Sequence, residues 1–243
     1  MATDVLALDI GGTKLAAGIV DDAGRLTGRS QEPSAADDAD ALYGRLLDLA
    51  RSTLQAHGAP VAAVGVGCGG PGRDFHRLMS PLNIPVWRDF PLRDRLADDL
   101  ALEIFVDNDA KALALAEGWV GAAVGVSDFI AMVVSTGVGG GIVLNGRLLD
   151  GADGNAGHIG HVFVEPNGHP DAGGVRGLLE GSASGTAIAD VLGAPASTAD
   201  EAMKEQVGVW VGRAVSSVAN LLDLRLAVVA GSVALGFGEP FFA

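Results

Sequence analysis

One pattern occurs twice in this chain and constrains it more than any other. The first copy runs from Asp4 to Val20 and is centred on Asp9-Ile10-Gly11-Gly12-Thr13-Lys14. The second runs from Asp128 to Val143 and is centred on Ser135-Thr136-Gly137-Val138-Gly139-Gly140. Each reads as an apolar strand, a tight Gly/Thr turn and a second strand. A recurrence of this kind points to an internal duplication. Glycine reaches positive φ at little cost and lets backbone approach a ligand closely. Successive N–H groups in such turns form a concavity that attracts anions. Two such turns facing each other would hold a chain of phosphates from both sides. Asp9 ends an apolar strand beside one turn. A carboxylate there repels phosphate unless a cation lies between them, and Mg²⁺, held by few carboxylates, waters and phosphates, suits that position. The same glycines also fit ordinary hairpin turns.

The net charge of −14 argues against nucleic acid or an anionic membrane surface as partner. An anionic ligand must then be bound by backbone dipoles or a metal. No apolar run approaches the roughly 20 residues of a membrane span, and the start Met1-Ala2-Thr3-Asp4 has no basic leader region. The expectation is a cytoplasmic protein. Cys68 is the single cysteine, which excludes an internal disulfide and a cysteine-rich zinc site. It reads as a small buried residue at a strand end sooner than as a nucleophile.

Strands are expected over 4–10, 15–20, 61–67, 103–106 and 226–230. Helices are expected over 37–57, ended by Gly58, and over 92–100, 110–117, 183–192 and 199–221. Residues 80–91 read as irregular, and 147–181 as a long Gly-rich segment. Alternating strands and helices favour a layered α/β fold. Two lobes are expected, residues 1–107 and 108–243. Trp87, Trp119 and Trp210 read as core or interface residues, and Phe237, Phe241 and Phe242 as exposed.

Asp109 follows a strand and opens a helix. It fits a general base that accepts the proton of an attacking hydroxyl, and it fits equally a helix cap together with Asp107 and Asn108. His158, His161 and Glu180 fit hydrogen-bond partners for the hydroxyls of a polar ligand, or plain loop polarity.

Seven stretches, in order, resemble the ROK family of sugar kinases, of the actin-like ATPase superfamily. They are LALDIGGTKLAAGIV (6–20), GVGCGGPGR (65–73), SPLNIPVW (80–87), VDNDAKALALAEGWVG (106–121), VVSTGVGGGIVLNGRLLDG (133–151), GNAGHIGHV (154–162) and LEGSASGTAIA (179–189). The resemblance implies a two-lobed actin-like ATPase (ribonuclease H-like) fold with hairpin-led lobes. It implies ATP-dependent phosphorylation of a hexose 6-hydroxyl, most often on glucose. N-acetylmannosamine, fructose and a non-catalytic sugar-binding pseudokinase are the alternatives, and polyphosphate is a second candidate donor.

Carried over by motif, Asp109 is the general base. Gly70, Asn83, Asn108, Asp109, His158, His161 and Glu180 bind the sugar. Asp9, Gly11, Gly12, Thr13, Lys14, Thr136, Gly137, Gly139, Gly140 and Gly231 bind nucleotide, with Asp9 holding Mg²⁺ directly or through water. His158 stands where many glucokinases of the family have Glu; members resembling acetylmannosamine kinases also have His. A homodimer or homotetramer is implied.

Two departures stand out. The family's zinc motif, C-x-C-G-x-x-G-C-x-E, is replaced by Asp171 to Glu180, with no cysteine. Asp, Gly and Leu do not replace three thiolates in a tetrahedral site, so no structural zinc is expected. Members also usually continue past the last motif with helices that close the nucleotide pocket, and those helices are expected to be missing from a chain that stops at Ala243. The family's repressors carry an N-terminal helix-turn-helix domain, for which a strand beginning at residue 4 leaves no room.

Overall fold

Leu6, Leu8 and Ile10 alternate with less buried residues, the period of a strand with one covered face. The computed structural model describes residues 3–171 and 173–243. Met1, Ala2 and Ala172 lie outside it, so Ala172 of the cysteine-free stretch is not described. In order, the elements are β1 (Val5–Ile10), β2 (Lys14–Val20), β3 (Leu26–Pro33), α1 (Ala39–His57), β4 (Val64–Cys68), β5 (Gly72–Arg73), β6 (Leu78–Met79), α2 (Leu92–Leu100), β7 (Ile104–Asp107) and α3 (Asp109–Val120). There follow β8 (Phe129–Val134), β9 (Val138–Leu144), β10 (Arg147–Leu148), α4 (Leu179–Ala183), α5 (Gly185–Leu192), α6 (Glu201–Leu222), β11 (Leu226–Ala230), α7 (Ser232–Phe237) and α8 (Glu239–Phe242).

The chain divides into two compact units. One holds the chain up to Ala112 together with Asp150–Asn155; the other holds Leu113–Leu149 and Ala156–Ala243. The sheet of the first unit has the order β3-β2-β1-β4-β7, and that of the second β10-β9-β8-β11. β1 pairs antiparallel with β2 and parallel with β4; β8 pairs antiparallel with β9 and parallel with β11. The duplication seen in the sequence is therefore a duplication of topology.

In the first unit, Leu42 and Leu46 of α1 pack on Leu6, Val64 and Val66 in one buried cluster. Asp38 caps α1, its carboxylate accepting the Ala41 N–H at 2.8 Å. Gly58, at φ 71°, ends the helix in the left-handed conformation that glycine adopts freely. Trp87 is fully buried and stacked on Phe90 at 4.5 Å, so the irregular 80–91 stretch gives Ile84, Trp87 and Phe90 to the core. In the second unit, Ile130, Met132 and Val134 of β8 pack with Val207, Val211 and Ala214 of α6.

Three differences from the sequence reading have physical causes. β3 is an extra strand whose every residue is exposed; a polar edge strand carries no alternating apolar signal. The helix expected over 183–192 begins at Gly185, because Ser184 is extended (ψ 149°) and its hydroxyl accepts the Ala187 N–H at 3.1 Å as a cap, and a separate α4 ends at Ala183 before it. Phe237 and Phe241 are buried in the α6 cluster, and Phe242 alone of the three is exposed. Trp119 is half exposed on α3 beside Leu115 and Val120. No helix among the described residues is long and apolar enough to cross a membrane.

Candidate active site

β1, β4 and β7 run parallel, so their carboxyl ends share one edge of the first sheet. That edge is where ligands bind in open α/β sheets. β1 delivers Asp9, one residue before its end. The turn that follows is closed by a Gly11 N–H to Lys14 carbonyl bond at 3.0 Å, and Thr13 and Lys14 are exposed. Gly12 lies against Asn83: a Cβ there would come within 2.7 Å of the Asn83 Cβ. Glycine is required by that approach.

β7 delivers the Asp107-Asn108-Asp109 run. The Asp107 carboxylate accepts the Asn108 N–H at 2.7 Å, and the Asn108 side-chain oxygen accepts the Ala110 N–H at 2.9 Å. Asn108 is buried, with its amide nitrogen beside Gly70. Asp109 is exposed at the first turn of α3, over Gly67. The Asp109 carboxylate accepts the same Ala110 N–H at 2.8 Å, so both side chains meet the start of α3, and Asp109 is the one of the two that faces solvent. Asp9 is held above the usual carboxylate range, first by lost hydration in its crowded strand end and then by the charge of Asp109; Lys14 and Arg29 oppose this. An Asp9 carboxylate that faces the charge of Asp109 is a ready place for a divalent cation. Cys68, fully buried at the end of β4, has its thiol pushed far up by burial, which makes it a core residue.

The second unit repeats the hairpin without a carboxylate in its turn. Val138, just after the turn, has its N–H bound at 3.2 Å by the Glu180 carboxylate, which also crowds Gly137. Gly140 is packed against the Gly157 carbonyl, and Gly139 pairs with Val133 inside the ladder. His161 Nε2 lies 4.0 Å from both the Glu180 and the Asp171 carboxylates, and the His158 ring stands edge-on to His161 at 4.9 Å. His161, Asp171 and Glu180 form a cluster with metal-ligand reach. Asp171 is already engaged: its Oδ1 accepts the N–H groups of Gly173 at 2.9 Å and Val175 at 2.8 Å.

Thr136 lines a cavity of about 500 Å³ with Ser135, Thr186, Asp190, Ser197 and Phe237. Gly231 opens α7 at φ 105°, and any Cβ there would strike the Val134 carbonyl. Of the residues expected to bind nucleotide, Thr136 lines this cavity; Ser135, Asp190 and Ser197, which the sequence reading did not single out, line it from three separate segments. Ser135 alone had a signal, its place in the duplicated turn.

A model of the ROK family matches residues 5–236. The chain belongs to the ROK family. It is 35% identical over 244 residues to a glucokinase of Halalkalibacterium halodurans, covering 96% of this chain and 74% of that one. It is 39% identical over 253 residues to an N-acetylmannosamine kinase of Yersinia pseudotuberculosis, covering 96% and 84%. In structure it matches a ROK family glucokinase from Streptomyces griseus, solved with glucose and AMPPNP, at a TM-score of 0.81 and 28% identity over 98% of this chain and 87% of that one. The fold class of this ROK chain is accordingly the α/β, two-lobed actin-like ATPase fold.

Proposed function

We propose that this ROK chain is an ATP-dependent hexose kinase that phosphorylates the 6-hydroxyl of its sugar, with glucose the leading substrate. One observation carries the reading most: the exposed Asp109 carboxylate and the proton-raised Asp9 sit at the carboxyl edge of one parallel sheet. The relatives' names and the glucose- and AMPPNP-bound neighbour support it.

In this reading Asp109 accepts the proton of the sugar hydroxyl as its oxygen attacks the γ-phosphorus. The bond from that phosphorus to the bridging oxygen breaks, and ADP leaves. Mg²⁺, when bound, offsets the charge between Asp9 and the phosphates. Asn108, fixed by its cap and by Gly70, presents its amide to the sugar. Gly12, Thr13, Thr136 and Gly137 supply backbone and hydroxyl donors to phosphate. His161 and Glu180 bind sugar hydroxyls. The cavity beside Thr136 has room for a nucleoside.

A thiolate zinc site does not fit the residues present. Gly173 and Leu178 offer no ligand atom where the family pattern has cysteine, and two backbone amides already occupy one oxygen of Asp171. We therefore assign no structural zinc; the Asp171 carboxylate orders the loop in its place. A cytoplasmic location and a homodimer or homotetramer complete the proposal.

His158 favours a second substrate, N-acetylmannosamine, because it places an imidazole against His161 and the chain is 39% identical to a kinase named for that sugar.

Asp109→Asn tests the assignment. Turnover should fall by about 10²–10⁴-fold, while calorimetry shows hexose affinity largely kept. Near-normal turnover in that variant would remove the base from the scheme.

A further inference from the structure

Lys111 stands two residues past the assigned base, and it is 2% exposed. A buried ammonium without partners is costly, so its surroundings are informative. Its Nζ lies 2.9 Å from Asp150 Oδ1, 2.8 Å from the Gly154 carbonyl and 3.0 Å from Asp107 Oδ1. Asp150 and Gly154 belong to Asp150–Asn155, the one stretch beyond residue 112 that is part of the first unit. The same Asp107 oxygen accepts the Asn108 N–H.

The stretch is held from a second side. Asn155 exchanges two hydrogen bonds with Gly72, donating from its side chain at 2.8 Å and accepting at 3.1 Å. His76, at φ 59° the last of three consecutive left-handed residues, wedges its ring between Gly72 and Gly154. His76 Nδ1 lies 3.4 Å from Asp107 Oδ1, and its buried Nε2 has no hydrogen-bond partner among the described residues. A residue held at such a backbone angle persists only where its surroundings fix it.

We propose that Lys111 is a positioning residue: its buried ammonium ties the Asp150–Asn155 stretch to the Asp107–Asn108 junction between β7 and α3 and so sets where Asn108 and Asp109 stand for the sugar. No catalytic step passes through Lys111, and its effect is on the hexose side of the reaction. That kinetic consequence rests on the hexose-kinase reading; the tie itself does not.

The test uses the intact protein with Lys111→Met and Asp150→Asn, each made alone. Removing one partner of a buried ion pair leaves the other charge uncompensated. Amide hydrogen exchange over residues 151–155 should rise about tenfold in both variants, with β1 and β2 unchanged. Lys111→Met should also raise the hexose KM about fivefold or more while the ATP KM stays within about twofold. A general loss of folded protein would instead lower the maximal rate and leave both KM values alone. If Lys111→Met does not fold, Asp150→Asn, which keeps the Lys111–Asp107 pair, carries the exchange measurement. Unchanged exchange over 151–155 in a folded variant overturns the tie. Faster exchange with an unchanged hexose KM overturns the positioning role. Absent turnover in the wild type counts against the kinase reading and leaves the exchange result to judge the tie.

Discussion

The two hairpins share a topology and differ in charge. The first turn follows Asp9, a carboxylate whose proton affinity is raised by burial and by Asp109, and it carries Lys14. The second turn holds only Ser135, Thr136 and glycines, with the Glu180 carboxylate engaging the Val138 N–H just after it. A duplicated frame has therefore been given two jobs. In the proposed function, Asp9 of the first copy and Asp109 of the same sheet edge manage a cation and a proton, and the second copy offers neutral donors beside a cavity. The antiparallel strand pairing is common to both, and glycine permits the close backbone approach made at Gly12 and at Gly140. Chemistry diverged at the few side chains that geometry leaves free.

The sharpest break in that symmetry is at Asp9. Asp9→Asn should cut turnover by about 100-fold through lost metal charge compensation. The same change should raise the melting temperature of the ligand-free protein at neutral pH. The sign follows from linkage. A carboxylate whose folded proton affinity is raised contributes stability below its ordinary value of 3.8, and loses it as pH rises through the folded value. At neutral pH the Asp9 anion is a cost that Asn removes. A less stable Asp9→Asn protein would place Asp9 in a compensated structural pair instead.

Thr136→Ala, in the neutral turn, should act more weakly. Loss of one neutral hydrogen bond, about 0.5–1.5 kcal/mol, raises the ATP KM by roughly 3–10-fold with the hexose KM unchanged. Equal effects from Asp9 and Thr136 in steady-state kinetics would erase the division of labour.

His76 gives the smallest effect. Burial holds it below its ordinary value of 6.5, against the pull of Asp107 and Asp150 and with the push of Lys111. The unfolded chain then binds more protons, so stability is full above about pH 6.5 and declines as pH falls below it. Thermal melts from pH 7.5 to 5 should show this decline, and His76→Asn should flatten it.

Much of the fold was legible because its signals are local. Leu42, Leu46, Leu49 and Gly58 mark α1, and the duplicated glycines mark both hairpins. β3 was not legible, since its Thr-Gly-Arg-Ser-Gln-Glu run reads as loop until β2 supplies hydrogen-bond partners. Phe237 and Phe241 looked exposed because the surface they meet, on α6, is distant in sequence. Among the candidate site residues, Asp9, Thr136 and Gly231 were singled out by motif. The Lys111 cluster did not: its partners Asp150 and Gly154 lie 39 and 43 residues away. Charge pairing at that separation leaves no periodic trace.

The central claim is phosphoryl transfer from ATP to a hexose. A coupled assay of ADP release tests it most directly, with Mg·ATP against glucose, mannose, fructose, allose, N-acetylglucosamine and N-acetylmannosamine. The account predicts turnover with glucose or N-acetylmannosamine that disappears in Asp109→Asn. Binding of a sugar without ADP release from any of the six would contradict it and make the protein a sugar-binding pseudokinase.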